Sequence, residues 1–143
     1  MAGAFQGIHL ELHSSIDVLD HLQQVAEDVC RQVGLNEDAL HWTSMAVREC
    51  VLNAITHGNT SDPGKKIFVD FNVEEDGGER SLVVTVRDQG EGFEPSEITN
   101  PLAPENILNT NGRGIFLVRQ FMDDVTFRPV PGGGTEVRMR KRL

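Results

Sequence analysis

The 143-residue sequence predicts an α+β, two-layer sandwich in which a mainly antiparallel sheet is covered on one face by helices. Three observations carry that reading. Short stretches alternate apolar with polar residues, the period of half-buried strands. Two long early stretches repeat their apolar residues every three or four positions, the period of amphipathic helices. The order of these stretches is strand, helix, helix, two strands, loop, helix, two strands, with no internal repeat, low-complexity tract or interdomain linker, so one domain is expected over 1–143.

In the first strand Ile8, Leu10 and Leu12 alternate with His9, Glu11 and His13. Ser14 and Ser15 then supply helix N-cap chemistry, and Val18, Leu19, Leu22, Val25, Ala26, Val29 and Val33 follow at helical spacing until Gly34 stops the pattern. Asn36 can cap a second helix running from about Glu37 through His57 and ending at Gly58. Asp62-Pro63-Gly64 is a turn. Ile67, Val69, Phe71 and Val73 alternate as a strand, Glu75-Asp76-Gly77-Gly78 marks a hairpin, and Leu82, Val84 and Val86 alternate as its partner. A loop of about twenty-five residues rich in Pro, Asn and Gly leads to a helix over Ile115 to Met122. Val125 to Val130 and Thr135 to Met139 close the chain as a hairpin around Pro131-Gly132-Gly133-Gly134.

Thirteen Lys and Arg against twenty-two Asp and Glu give a formal charge of −9, which argues against broad binding to a nucleic-acid backbone or to an anionic membrane. The basic ending Arg138-Met139-Arg140-Lys141-Arg142 fits a protected edge strand with charges turned to solvent. No run approaches eighteen apolar residues and no basic segment precedes an apolar one at the N-terminus, so a cytoplasmic protein without span or signal peptide is expected. Cys30 and Cys50 stand far apart without metal-ligand spacing, as small reduced core or flank residues.

Chemistry concentrates in three places. Glu49, Asn53 and His57 stand four residues apart in the second helix, so a carboxylate, an amide and an imidazole stack along one flank while Val47, Leu52 and Ile55 can face a core. Asp88-x-Gly90-x-Gly92-Phe93 follows an alternating strand, and Gly112-Arg113-Gly114 opens a helix. Glycines let backbone approach phosphate closely, and free N–H groups at a helix start attract anions, so the long loop between them looks like a mobile lid over phosphate. Each glycine stretch alone is a turn signal. In this order after the Glu-x-x-x-Asn helix, they look like a magnesium-nucleotide pocket.

Glu49-x-x-x-Asn53-Ala54-x-x-His57-Gly58, Asp88-x-Gly90-x-Gly92-Phe93, Gly112-Arg113-Gly114-Ile115-x-Leu117-Val118-Arg119-x-Phe121-Met122-Asp123 and Gly134-Thr135 resemble the four boxes of the Bergerat-fold ATPases, the superfamily of gyrase, histidine kinases and mismatch-repair ATPases. Within it the chain is most similar to the small anti-sigma factor serine kinases of bacterial partner switching. A sensor histidine kinase would need a dimerising helical hairpin, and gyrase-like enzymes a transducer domain, for which 143 residues leave no room.

The resemblance implies roles that suit the residue types. Asn53 offers a neutral oxygen to a magnesium ion and matches the family's metal ligand. Glu49, one turn earlier, matches the general base that takes the proton of an attacking hydroxyl. Asp88 would accept a hydrogen bond from the adenine amine, selecting ATP over GTP, with the Thr135 hydroxyl supporting that contact. Gly90 and Gly92 let the chain pass beside base and sugar, Gly112 and Gly114 present amides to phosphate, and Arg113 steadies the γ-phosphate. His57 matches the box, and a helix C-terminus also favours an imidazole through its dipole, so nucleotide contact and capping both stand. Arg119 and Asp123 are expected to face solvent or a partner, and Trp42 to be a core or rim aromatic. Two functions follow: a kinase that sequesters a sigma factor and phosphorylates a serine of an anti-anti-sigma protein, or a non-catalytic ATP-sensing binding module. The resembled family also forms homodimers.

Overall fold

A computed structural model describes residues 5–90 and 118–143. Its strands are β1 (Ile8–His13), β2 (Lys66–Asp76), β3 (Glu79–Arg87), β4 (Asp124–Pro129) and β5 (Thr135–Arg142), and its long helices are α1 (Leu19–Gln32) and α2 (Glu37–Asn53). The strands form one five-stranded sheet in the order β1-β2-β3-β5-β4 with every neighbouring pair antiparallel. This is the α+β class expected from the sequence. A short helical stretch at 118–121 precedes β4.

Alternation decides which face of the sheet is covered. Ile67, Val69 and Phe71 of β2, Leu82, Val84 and Val86 of β3, Val125 of β4 and Met139 of β5 are buried in one cluster with Leu19, Leu22, Ala26 and Val29 of α1 and Leu40, Val47 and Val51 of α2. The residues between them point the other way and carry charge: Arg138 pairs with Glu74, Arg140 with Asp124, Arg128 with Glu136 and Arg142 with Glu79. Arg87 lies over the Phe68 ring, 4.5 Å from its centre. The two-residue turn between β2 and β3 is Gly77-Gly78, both at positive φ, which matches the twist of the hairpin.

Four expectations are corrected. The basic ending is not an edge: β5 lies between β3 and β4, and its arginines neutralise carboxylates on β2, β3 and β4. β1 and β4 hold the edges, because the chain crosses from β3 past β5's position before turning back. Ser14 and Ser15 do not cap α1; Ser14 is buried, the Ser15 hydroxyl bonds the Asp17 carboxylate, and a 3₁₀ turn over Ile16–Val18 precedes the helix. The second helix keeps its α hydrogen bonding only to Asn53 and widens to a π turn over Ala54–Gly58. Finally, β5 continues to Arg142, its backbone N–H donating to the Asp123 carboxylate at 2.6 Å.

Other local signals hold. Asn36 caps α2 by accepting from the Ala39 N–H at 2.8 Å, with Glu37 and Asp38 in the first turn. Asp62 accepts from the Gly64 N–H at 2.8 Å, the Asx geometry of a turn. Cys30 and Cys50 are free, and burial pushes both thiols up to about 12. Trp42 is a rim aromatic, 42 % exposed and stacked on Phe121 at 4.4 Å between ring centres. Among the described residues no helix is long and apolar enough to cross a membrane.

Candidate functional site

The site begins at the end of α2. Past Asn53 the backbone slips from i→i−4 to i→i−5 bonding, the Asn59 N–H reaching the Ala54 carbonyl at 2.8 Å; beyond it the Ser61 N–H reaches the Ile55 carbonyl, six residues back, at 2.8 Å. Thr60 and Ser61 then take positive φ, ending the helix abruptly. His57 lies inside this wider turn, whereas Glu49 and Asn53 belong to the α-helical part. Glu49 and Asn53 are half-buried, whereas His57 is exposed.

Asp88 stands opposite this helix end, immediately after β3, and is only 6 % exposed. Its Oδ1 accepts two backbone N–H groups, from Gly90 at 2.9 Å and from Thr135 at 3.1 Å. Its own N–H donates to the Thr135 carbonyl at 3.0 Å, extending the β3–β5 ladder by one pair. Burial raises the Asp88 carboxyl above its ordinary value; the Gly90 and Thr135 amides and the Lys65 charge oppose the rise without cancelling it.

Three glycines make the space in which this carboxylate sits. A Cβ on Gly58 would collide with Asp88 Oδ2, one on Gly90 with the Gly58 carbonyl, and one on Gly134 with the Asp88 carbonyl. Gly134 also has φ of +100°, a conformation L side chains rarely adopt. Helix end, post-β3 loop and β4–β5 turn therefore meet backbone to backbone, with Oδ1 held by amides and Oδ2 directed over Gly58. A ligand amine approaching there would meet a fixed acceptor whose orientation needs no further ordering.

The structure thus brings Asp88, Gly90 and Thr135 together at the end of the helix that carries Glu49, Asn53 and His57. Thr135 meets Asp88 through its backbone. Gly92, Gly112, Arg113 and Gly114, the loop read as a lid and the first residues of the helix expected over Ile115 to Met122 lie outside the described residues. Among the described residues no three His, Cys, Asp or Glu side chains converge as a potential metal site. A magnesium ion here would need nucleotide phosphates and water beside the Asn53 oxygen, as that ion commonly does.

Sequence reasoning missed Gly58 as the glycine facing Asp88, Gly134 as the one beneath its carbonyl, and Asn59 altogether. Asn59 is fully buried and bonds Ser14, Lys66 and Gln89. In the sequence Gly58-Asn59 is an ordinary turn dipeptide, and only the asparagine's position next to a polar helix end hints at more.

The sequence matches the profile of the histidine kinase-like ATPase domain over residues 12–141, which spans every element that builds the site. The chain belongs to the histidine kinase-like ATPase domain family. Within the family it is 33% identical over 113 residues to the anti-sigma F factor of Heyndrickxia coagulans, covering 74% of this chain and 71% of that protein. It is 29% identical over 141 residues to the anti-sigma F factor of Bacillus subtilis, covering 93% and 92%. The serine-protein kinase RsbW of Oceanobacillus iheyensis is 30% identical over 103 residues, or 68% of this chain and 63% of that one. The crystal structure of the RsbU and RsbW domains of a Mycobacterium tuberculosis protein superposes with a TM-score of 0.70 at 18% identity, covering 99% of this chain and a third (33%) of that longer polypeptide. That likeness shows the shared fold.

Proposed function

We propose that this member of the ATPase family is an ATP-dependent serine-protein kinase and anti-sigma factor of a bacterial partner-switching system. One observation carries the nucleotide half: the glycine-walled Asp88 carboxylate, with one oxygen pinned by two amides and the other turned over Gly58, at the end of the helix bearing Glu49 and Asn53. A carboxylate so fixed accepts from the exocyclic amine of adenine and repels the carbonyl that guanine places there, which selects ATP. The regulatory half is supported by the relatives, which are anti-sigma F factors and a serine-protein kinase.

In this reading Asn53 would hold, through its side-chain oxygen, the magnesium that accompanies the nucleotide. Glu49 accepts the proton of a serine hydroxyl on the incoming anti-anti-sigma protein as its oxygen attacks the γ-phosphorus; the bond to the bridging oxygen breaks and ADP leaves. Arg113 and the Gly112 and Gly114 amides hold the phosphate. The same chain would sequester a sigma factor until its phosphoacceptor displaces it, as one cytoplasmic domain over 1–143 that pairs as a homodimer.

The test is incubation with γ-labelled ATP, magnesium and each small candidate anti-anti-sigma protein of the same genome. Label is expected on a serine of one of them. Nucleotide binding without transfer to any candidate would contradict the kinase and leave an ATP-sensing binding module.

A further inference from the structure

Asn59 uses its whole side-chain amide. Its Nδ2 donates to Ser14 Oγ at 2.5 Å and to the Lys66 carbonyl at 2.9 Å, and its Oδ1 accepts from the Gln89 N–H at 2.7 Å. Gln89 answers with its own side chain, Oε1 accepting from the Lys66 N–H at 2.7 Å. One residue just past the π turn of α2 therefore binds the chain after β1, the start of β2 and the loop after β3.

A helix-end cap would satisfy the free backbone groups of its own helix. All three of Asn59's side-chain bonds go instead to segments flanking the strands. The peptide it grips is also a particular one, because Gln89 lies between Asp88 and Gly90, the residue whose N–H holds Asp88 Oδ1. Fixing the Gln89 N–H to the helix end fixes the loop that aims the carboxylate, and the collision that any Cβ on Gly90 would make with the Gly58 carbonyl shows how little slack the contact has.

From this network we infer that Asn59 is a positioning residue that sets the Asp88 carboxylate relative to the helix carrying Glu49 and Asn53, and so governs the preference for adenine over guanine. The inference rests on the reading of Asp88 as the base-recognising group. Loss of the Oδ1 acceptor frees the Gln89 peptide, and Asp88 then wavers between orientations, so selectivity falls while the affinity that comes from the phosphates does not.

The experiment measures Kd for magnesium-ATP, magnesium-GTP and inorganic triphosphate on the parent, Asn59→Ala, Asn59→Asp, Ser14→Ala and Asp88→Asn, each confirmed folded by circular dichroism. Asn59→Ala is expected to lower the ATP-over-GTP preference about tenfold with triphosphate affinity unchanged, a size typical of one mispositioned hydrogen bond. It should add nothing further in the Asp88→Asn background, the sign of a shared pathway. Asn59→Asp keeps the acceptor for Gln89 and should keep the preference while losing stability against the Lys66 carbonyl. Ser14→Ala should lower the melting temperature alone.

Equal weakening of all three ligands by Asn59→Ala, or an undiminished preference in its folded form, overturns the positioning role. If Asn59→Ala does not fold, Asn59→Asp decides, and loss of preference in that variant contradicts the assignment to Oδ1. A parent protein without any ATP preference overturns the Asp88 reading itself, an outcome distinguishable from the others because no variant is involved.

Discussion

Asp88 is buried and held by backbone amides, and these properties have opposite effects on stability and on binding. Its folded-state carboxyl is raised above the ordinary 3.8, mainly by burial. The folded protein therefore holds that proton more tightly than the unfolded chain, and the stability Asp88 contributes is full below pH 3.8 and lost as pH rises through the raised value. Above that raised value the ionised group is a cost to the fold. Asp88→Asn keeps an oxygen for the two amides and removes the charge, so the nucleotide-free variant should melt no lower than the parent at pH 7 while ATP affinity drops. A lower melting temperature without nucleotide would assign Asp88 a structural role. Gly58→Ala should mimic the binding loss from the other side, since its methyl takes the place of Oδ2. Glu49→Gln separates binding from chemistry: phosphotransfer should fall by roughly 10² to 10⁴ with ATP affinity kept within a few-fold. Equal losses of both would remove Glu49 from the chemistry.

At the scale of elements, the ends of strands and helices respond to single polar contacts. His9 on edge strand β1 faces Asp70 on β2 with 2.6 Å between Nδ1 and Oδ1, and that hydrogen bond, followed by the Asp70 charge, raises the imidazole above 6.5. The contribution is present below pH 6.5 and is lost as pH rises through the raised folded value, so amide protection along β1 should decline over that interval. Asp70→Asn should bring the His9 titration, followed by NMR, back toward 6.5; an unchanged titration would remove Asp70 as its cause. At the other end of the helical layer, Asn36→Ala should cost about 1 kcal/mol of stability without altering nucleotide affinity, because the cap lies at the far end of α2 from the site.

The same elements show what a sequence reveals. Period-two alternation exposed β1, β2 and β3, and the glycine-rich turns at Gly77-Gly78 and Pro131–Gly134 marked the two hairpins, because each signal is local. The place of β5 inside the sheet was hidden, since spatial order depends on a crossover and a basic strand is charged alike at an edge or between paired carboxylates. The π turn left no mark either: one slipped hydrogen bond changes no residue type. In the candidate site, Asp88 and Gly90 were legible by their spacing and company and Thr135 only through the resemblance, its contact with Asp88 being through the backbone, whereas Asn59 was hidden because Gly-Asn signals a turn whether it is exposed or wholly buried.

For the molecule as a whole, nucleotide binding and folding are linked, because the groups around Asp88 come from the loop after β3, the turn before β5 and the end of α2 and converge only in the folded chain. A ligand that binds only that state at a hundred times its dissociation constant adds about 2.7 kcal/mol. Removing magnesium with a chelator should reduce the ATP effect, since Asn53 alone is a weak hold on phosphate charge. Thermal unfolding of the parent and of Asp88→Asn, each with magnesium-ATP and with magnesium-GTP, therefore tests the central claim most directly. The melting temperature of the parent should rise clearly with ATP and much less with GTP, and the difference should vanish in Asp88→Asn. Equal shifts with both nucleotides in the parent, or no shift with either, would contradict an adenine site built on Asp88.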